Sequence, residues 1–150
     1  MGNSAPLVFM MIDKVALFLN QITQWASAQT DILALALVGS YAINAAKANS
    51  DVDLVLIALE PRRYLQDQSW VQRFGTVEKS QVEEYGLLTS VRVWYHNGLE
   101  IEYGLTDERW AAIPLDAGTQ RVIADGMQVL FERGDILSRH LDDKLDTRSV

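Results

Sequence analysis

Two aspartates, Asp51 and Asp53, begin the apolar segment DVDLVLIAL, residues 51–59. Residues i and i+2 of a β-strand point to the same face, so we expect both carboxylates together, with Cα atoms roughly 6–7 Å apart. Two buried carboxylates repel each other unless a cation lies between them. Carboxylate oxygens are the ligands that Mg²⁺ and Mn²⁺ prefer. The pair alone fits either a metal site or an ordinary strand start with a solvated second aspartate.

A glycine–serine pair, Gly39 and Ser40, ends a second apolar run, ILALALVG at 32–39. A glycine at the end of a buried strand lets backbone N–H groups approach a phosphate, and the serine hydroxyl adds a donor. Lys47, in the connector that follows, can supply a counter-charge. The alternative is an ordinary strand-to-helix turn in which Ser40 is the N-cap.

The complete segment GSYAINAAKANSDVDL, residues 39–54, resembles the signature of the nucleotidyltransferase superfamily that shares the DNA polymerase beta catalytic fold. The matching positions are Gly39, Ser40, Ala42, Ser50, Asp51, Asp53 and Leu54. Ile43 and Asn44 depart from the Arg-Gly that many relatives carry there. Asparagine tolerates the left-handed conformation better than most residues, so the turn can survive, whereas one phosphate contact is put in doubt.

The resemblance also implies a third carboxylate on a later strand. Glu100 and Glu102, in LEIEYG at 99–104, share one face of a predicted strand. Glu102 stands where similar small bacterial stand-alone members carry their glutamate, so it ranks first, and Glu100 stays open. Arg92 and Trp94, on the preceding strand, can face the same cleft but are more simply ordinary sheet residues.

The resemblance implies an α/β (α+β) fold, a mixed β-sheet flanked by helices. It implies Mg²⁺-dependent transfer of a nucleoside monophosphate from a nucleoside triphosphate, with ATP the expected donor. The acceptor is a hydroxyl of a small molecule or of a helical partner protein, and a homodimer is one way to complete the acceptor site. The implied catalytic residues, which also hold two Mg²⁺ (or Mn²⁺) ions, are Asp51, Asp53 and Glu102. The implied nucleotide-binding residues are Gly39, Ser40, Lys47 and Ser50.

Two other functions stay open at this point. The chain can be a non-catalytic nucleotide-binding or antitoxin-type interaction module. The motif DVD can also be a glycosyltransferase DxD that holds a sugar nucleotide through Mn²⁺, although this leaves the upstream Gly-Ser spacing unexplained.

The composition argues against several classes of binding partner and of functional site. The 150 residues carry a net charge of −7, which argues against binding DNA, RNA or an anionic membrane surface. The absence of cysteine excludes disulfides, thiolate zinc sites and cysteine nucleophiles. No apolar run approaches the roughly 20 residues needed to span a bilayer. We therefore expect a cytoplasmic protein, and the resemblance to small bacterial stand-alone members implies a bacterial one.

Apolar periodicity predicts a single domain over residues 1–150, in which residues 1–10 are an extension that can be disordered. Trp25, Trp70 and Trp110 are expected in the core, and His140 on a solvated surface. Asn97-Gly98 predicts a hairpin turn. The predicted strands are 32–39, 51–59, 76–84, 87–96, 99–105 and 127–132. The predicted helices are 11–28, Pro61 to about Phe74, 107–112, one ending at Asp125-Gly126, and one within 135–145.

Overall fold

The structure is a computed structural model that describes residues 4–47, 50–112 and 115–141, and it contains one six-stranded mixed sheet. The strand order is β3-β4-β5-β2-β1-β6. Strands β2 and β5 run parallel, and the other neighbouring pairs are antiparallel. The strands are β1 Ile32–Val38, β2 Val52–Ala58, β3 Val77–Tyr85, β4 Leu88–Tyr95, β5 Glu100–Thr106 and β6 Met127–Glu132.

Helices cover both faces of this sheet, which confirms the predicted fold class. The α-helices are α1 Ser4–Ala28, α2 Arg62–Gln66 and α3 Ala117–Asp125, and the 3₁₀ helices are Ser40–Ile43, Ser69–Phe74 and Glu108–Ala111. Residues 138–141 are helical as well. Within the described ranges, no helix has the length and apolar character needed to cross a membrane.

Strand β2 contributes side chains to the hydrophobic cores on both faces of the sheet. Successive side chains alternate between the faces, so Leu54 and Leu56 pack on the α1 side while Val55 and Ile57 pack on the α3 side. Asp53 shares the α3 side with Val55. The predicted continuous apolar strand is thus confirmed, and its alternation decides which face receives the aspartate.

An aromatic cluster anchors α1 to the segment after β2. Trp70 stacks on Trp25 with ring centroids 5.2 Å apart, and its Nε1 donates to the Tyr64 backbone O at 2.9 Å. Trp70 and Trp110 are buried and Trp25 packs partly buried against the core, as predicted.

The single helix predicted from Pro61 to Phe74 is wrong. Asp67 has an extended backbone, with φ −121° and ψ 103°, and separates α2 from the 3₁₀ helix that follows. Its Oδ1 accepts a hydrogen bond from the Ser69 backbone N at 3.0 Å. A short polar side chain that bonds nearby backbone in this way competes with helix continuation.

The prediction for His140 is also wrong. The residue is only 8% exposed, and its Nε2 lies 2.9 Å from the Ala111 backbone O. A carbonyl at the end of the last 3₁₀ helix thus gives the ring a buried polar partner, which no local pattern in the sequence announces.

The chain ends bear on two further predictions. Helix α1 begins at Ser4, inside the segment that the sequence assigns to an extension, and residues 1–3 lie outside the described residues. The end of the predicted closing helix, beyond residue 141, also lies outside them. That residues 1–150 form a single domain stays a prediction.

Replacing Trp70 tests the aromatic anchor. We expect Trp70→Ala to lower the free energy of unfolding by about 3–5 kcal/mol, because it removes a buried indole and leaves a cavity. Trp70→Phe should cost less, since the ring contacts remain and only the hydrogen bond to Tyr64 is lost. Urea denaturation measures both, with Leu59→Ala, at an exposed leucine, as the control. Equal midpoints for Trp70→Ala and Leu59→Ala would contradict the assignment.

Candidate active site

One line of residues crosses the α3 face of the sheet at the level of Asp53. In the strand registers, Val38 pairs with Asp53, Asp53 with Glu102, and Glu102 with Arg92. Residues paired across neighbouring strands point to the same face. The parallel register of β2 and β5 therefore puts an aspartate and a glutamate side by side.

Three carboxylates meet at this point and form what we call the acidic cluster: Asp51, Asp53 and Glu102. One oxygen from each lies within 4.8 Å of those from the other two. Glu100 lies two residues earlier on β5, and its Oε2 is 2.6 Å from Arg92 Nη1. The geometry thus brings together the three acids that the sequence ranked first.

One oxygen atom of Asp53 is the unsatisfied buried atom of the cluster among the described residues. This atom, Oδ1, has no hydrogen-bond partner in the part of the chain that the structure describes. Burial, hydrogen bonds to Asp51 and Glu102, and the charges of those two groups raise the pKa of Asp53 to about 9. A buried carboxylate oxygen without a partner, beside two further carboxylates, fits the oxygen ligand set that a divalent cation needs.

The backbone of Gly39 lies close to the Asp53 carboxylate of the acidic cluster. Its φ of 76° lies in the left-handed region, and a Cβ at this position would collide with the Asp53 carboxylate. Only glycine fits both conditions. Ser40 then begins the first 3₁₀ helix, where Gln128 Nε2 donates to the Ala42 backbone O at 2.7 Å.

The connector between β1 and β2 also contains the predicted left-handed turn. Asn44 has φ 57° and ψ 31°, which confirms that asparagine preserves the turn where relatives carry glycine. Ser50 Oγ accepts from the Lys47 backbone N at 2.8 Å, and the Ser50 backbone N donates to the Lys47 O at 3.0 Å. These contacts close the connector. The Lys47 side chain is exposed and makes no ion pair within the described ranges.

Arg92, which the sequence suggested was an ordinary sheet residue, lies beside the acidic cluster. Its guanidinium contacts two carboxylates of the acidic cluster, with Nη1 3.1 Å from Asp51 Oδ2 and Nη2 3.2 Å from Glu102 Oε2. It also pairs with Glu83 at 3.1 Å and Glu100 at 2.6 Å. The alternation of β4 was the available signal, because it places Arg92 on the face opposite to its buried neighbours in the chain. One cation thus lies among four anions.

Burial lowers the pKa of Arg92, but its hydrogen bonds to Glu100 and Glu83 and the charges of Glu102 and Glu83 outweigh that effect and raise it overall. The guanidinium is therefore charged throughout the accessible pH range.

A cavity of about 390 Å³ opens beside the acidic cluster, between α3 and the sheet. Asp53, Glu102 and Gly39 are among the residues that line it. Trp110 and Thr119 line it as well. Its volume falls within the range of small-molecule sites.

The mixed sheet with flanking helices, and the carboxylates at the starts of β2 and β5, are the arrangement that the resemblance to nucleotidyltransferases predicts. The family model of streptomycin adenylyltransferase matches residues 14–97, more than half of the chain. The chain belongs to the streptomycin adenylyltransferase family. That match contains Gly39, Ser40, Asp51 and Asp53 and ends before Glu102.

A solved structure gives the same fold. The aminoglycoside 6-adenyltransferase from Bacillus subtilis aligns with a TM-score of 0.50 and 14% identity. The alignment covers 78% of this chain and 38% of that chain, so this chain spans well under half of the longer protein. No curated protein matches the sequence significantly.

Asp53→Asn tests whether the acidic cluster is under electrostatic strain. The pKa of Asp53 is raised from 3.8 to about 9 on folding, so the folded state retains a proton that the unfolded chain releases. Stability of the metal-free protein should therefore fall as the pH rises from 4 to 9. The amide of the variant cannot ionise. We expect Asp53→Asn to flatten this slope and to stabilise the protein at pH 8 by on the order of 1–2 kcal/mol, allowing for solvent screening.

Urea unfolding in EDTA at several pH values measures this effect, with Asp135→Asn, at an exposed aspartate, as the control. A wild-type slope that Asp53→Asn leaves unchanged would show that Asp53 is not the strained group.

Arg92→Met tests the internal cation. It keeps much of the side-chain stem but leaves four carboxylates without their shared partner. We expect a loss of about 1–3 kcal/mol in the metal-free protein, less than for a fully buried pair because Arg92 is partly solvated. Saturating Mn²⁺ should stabilise Arg92→Met more than wild type, since the ion then neutralises the bare carboxylates.

Thermal unfolding with and without Mn²⁺ measures both effects. Arg109→Met is the control, because the exposed Arg109 pairs with Asp107, outside the acidic cluster. Identical Mn²⁺ increments for Arg92→Met and wild type would argue that Arg92 does not hold the acidic cluster.

Proposed function

We propose that the protein is a Mg²⁺-dependent nucleotidyltransferase that moves a nucleoside monophosphate, with ATP the expected donor, to a hydroxyl of a small molecule. The acceptor oxygen forms a bond to the α-phosphorus, and the bond from the α-phosphorus to the oxygen of the β-phosphate breaks. Pyrophosphate leaves, and the hydroxyl proton passes to Glu102 or Asp53. Atoms and charges balance without any further reactant.

The observation that supports this most is Asp53 Oδ1, which lies in the acidic cluster and has no hydrogen-bond partner in the part of the chain that the structure describes. Holding three carboxylates together lowers the stability of the free protein. A bound cation with its phosphate would offset that repulsion. The absence of a side chain at Gly39 lets the backbone lie close to the Asp53 carboxylate, so backbone N–H groups of this turn would be near a phosphate bound to that cation.

The chain's own residues divide the work. Asp51, Asp53 and Glu102 hold two Mg²⁺ (or Mn²⁺) ions, and Glu102 faces the acceptor hydroxyl. Gly39 and Ser40 bind the β- and γ-phosphates, with Lys47 and Ser50 in the connector that follows. Bound Mg²⁺ supplies a lower pKa for the hydroxyl and a counter-charge for the pyrophosphate. The protein itself contributes position and charge.

The names of the similar proteins bear on the chemical class of the acceptor. The family's name refers to streptomycin and the solved neighbour's name to an aminoglycoside, which supports a small-molecule acceptor. A helical partner protein is the other acceptor that the resemblance implies. A homodimer would be one way to complete the acceptor site.

A non-catalytic nucleotide-binding or antitoxin-type module is the second candidate function. The loss of the family's usual arginine at Ile43 favours it, because one phosphate contact is missing. A module of this kind would bind the nucleotide without releasing pyrophosphate.

Calorimetry with ATP, GTP, CTP and UTP, in Mg²⁺ and in EDTA, tests the proposal. We expect Mg²⁺-dependent binding by wild type and a loss of about 100-fold or more in Asp53→Asn, which removes a metal ligand. Glu84→Gln, at an exposed glutamate, removes the same charge outside the site and should bind like wild type.

Because Asp53→Asn is expected to stabilise the fold, its loss of binding could not be attributed to unfolding. Metal-independent binding, or equal binding by Asp53→Asn, would refute the metal-site assignment. Binding of a nucleotide sugar in preference to every triphosphate would favour the glycosyltransferase interpretation instead.

A further inference from the structure

We propose that the outer edge of β3 is a dimerisation surface, which pairs antiparallel with β3 of a second copy of this chain and joins the two sheets into one. Strand β3, Val77–Tyr85, stands at the end of the strand order and pairs only with β4 among the described strands. The inference does not rest on the proposed function, because it concerns the backbone of a strand that contributes no residue to the acidic cluster.

Most of β3 is in contact with solvent. Seven of its nine residues are exposed, among them Val82 and Tyr85, at 50% and 54%. Leu87, in the loop that follows, is 38% exposed. A long edge strand with exposed apolar side chains is a template on which another strand can pair.

The hydrogen bonds at the end of β4 show which of its residues bond to β3. Tyr95 N donates to Leu99 O at 2.8 Å, on the β5 side. His96 N donates to Thr76 O at 2.8 Å, on the β3 side. Backbone groups of successive strand residues point to opposite sides, so the even-numbered residues of β4 bond to β3 and the odd-numbered ones to β5.

The outward backbone groups of β3 follow from this alternation. Even-numbered residues of β4 are paired with the odd-numbered residues of β3 between 79 and 85, which therefore bond within the β3–β4 ladder. The intervening residues Ser80, Val82 and Glu84 direct their N–H and C=O groups to the outer side, where no described strand accepts them. A second strand would supply these groups with partners.

The regular part of β3 favours one register for the pair. Pairing with β4 is irregular before Lys79 and regular from Lys79 to Tyr85. Val82 is the midpoint of that regular part, so an antiparallel pair centred on Val82 overlaps it completely. In this pair Val82 exchanges both backbone hydrogen bonds with Val82 of the partner subunit, and Ser80 does so with Glu84 of the partner subunit.

The side chains fit the same register. Val82 meets Val82 of the partner subunit across the two-fold axis, which removes an exposed apolar residue of each copy from water. On the other face Tyr85 lies opposite Lys79 of the partner subunit, and Glu83 lies opposite Gln81 of the partner subunit. Lys79 is also diagonal to Glu83 of the partner subunit, an opposite charge within reach of a long side chain. No like charges stand directly opposite each other.

The neighbouring registers fit less well. A pair centred on Gln81 places Glu78 opposite Glu84 of the partner subunit, and like charges directly opposite are destabilising. A pair centred on Ser80 leaves Tyr85 beyond the paired strands. The charged side chains of this edge therefore disfavour most strands and accept a second copy in one register, as expected of an edge that pairs selectively.

The two-fold axis of this pair is perpendicular to the sheet, so the acidic clusters of both copies lie on the same face. Tyr85 and Leu87 also line the cavity beside the acidic cluster, and the interface therefore adjoins it. One pair of strands is at the small end of specific interfaces, which bury about 1,200–2,000 Å². We expect a reversible dimer with a dissociation constant on the order of 10–100 μM.

Charge variants at the centre of the pair test the surface. Val82→Lys and Val82→Glu should each weaken dimerisation about tenfold or more, because like charges then meet across the axis. An equimolar mixture of the two should dimerise again, since lysine then faces glutamate. Leu59→Lys and Leu59→Glu, at an exposed leucine outside β3, should dimerise like wild type alone and when mixed. Sedimentation velocity between about 1 and 500 μM measures each case. Recovery in the mixture also shows that both variants are folded.

The register has its own test, because the chain contains no cysteine. Chains with Gln81→Cys and chains with Glu83→Cys, one of them carrying a mass tag, are mixed and oxidised. The two positions form a non-hydrogen-bonded pair in the proposed register, where side chains lie closest. We expect the mixed disulfide to exceed both self-linked products. Predominant self-linking of Gln81→Cys would show a pair centred on Gln81 and overturn the register.

Hydrogen exchange of the Val82 amide separates the other occupants of this edge. A second copy protects the amide increasingly as the protein concentration rises. Protection that is complete in the monomer would show that another part of the same chain covers the edge, and fast exchange at every concentration would show that nothing does. A protein that stays monomeric at 500 μM, or a dimer that the Val82 variants leave intact, would also overturn the inference. Absence of nucleotide binding would change none of these results, so failure of the proposed function is distinguishable from failure of this one.

Discussion

The repulsion among the carboxylates of Asp51, Asp53 and Glu102 is the constraint for which the other residues of the site compensate. The parallel pairing of β2 with β5 fixes Asp53 against Glu102 and gives the chain no freedom to separate them. Arg92 neutralises the side of the cluster that faces β4, where it contacts Asp51 and Glu102. Asp53 Oδ1 has no hydrogen-bond partner among the described residues, and under the proposed function it is the atom that a bound cation would satisfy. The sheet thus holds three carboxylates together, an arrangement that is unfavourable in the absence of a cation.

Much of this could be predicted from the sequence, because the informative signals are local. Apolar runs bounded by Gly39 and Asp51 predict β1 and β2, and the resemblance carried by the Gly-Ser and Asp-Val-Asp motifs implies a metal site at their ends. Asn97-Gly98 predicts the β4–β5 hairpin, in which Gly98 N donates to Tyr95 O at 3.0 Å. These features need only neighbouring residues to be recognised.

The parts that the sequence did not predict depend on distant contacts. Nothing near Arg92 in the chain indicates that Asp51 lies beside it, since the contact follows from the sheet order. The buried place of His140 depends on a carbonyl of Ala111 in another element. The sequence places Thr119 simply in the first turn of α3, whereas the structure buries it, and its Oγ1 has no hydrogen-bond partner among the described residues. Asp67 shows the reverse case, in which a local side-chain bond overrides helical periodicity.

The parallel β2–β5 pair has a consequence for how the protein matures. Its two strands are separated by α2, the second 3₁₀ helix and the β3–β4 hairpin, so their pairing closes a long loop. Contacts of such long sequence separation form late and slowly during folding. The carboxylates of the acidic cluster on β2 and β5 therefore come together only when the centre of the sheet is complete. Folding intermediates that lack this pair lack the acidic cluster, so under the proposed function nucleotide and metal would stabilise only chains that have finished folding.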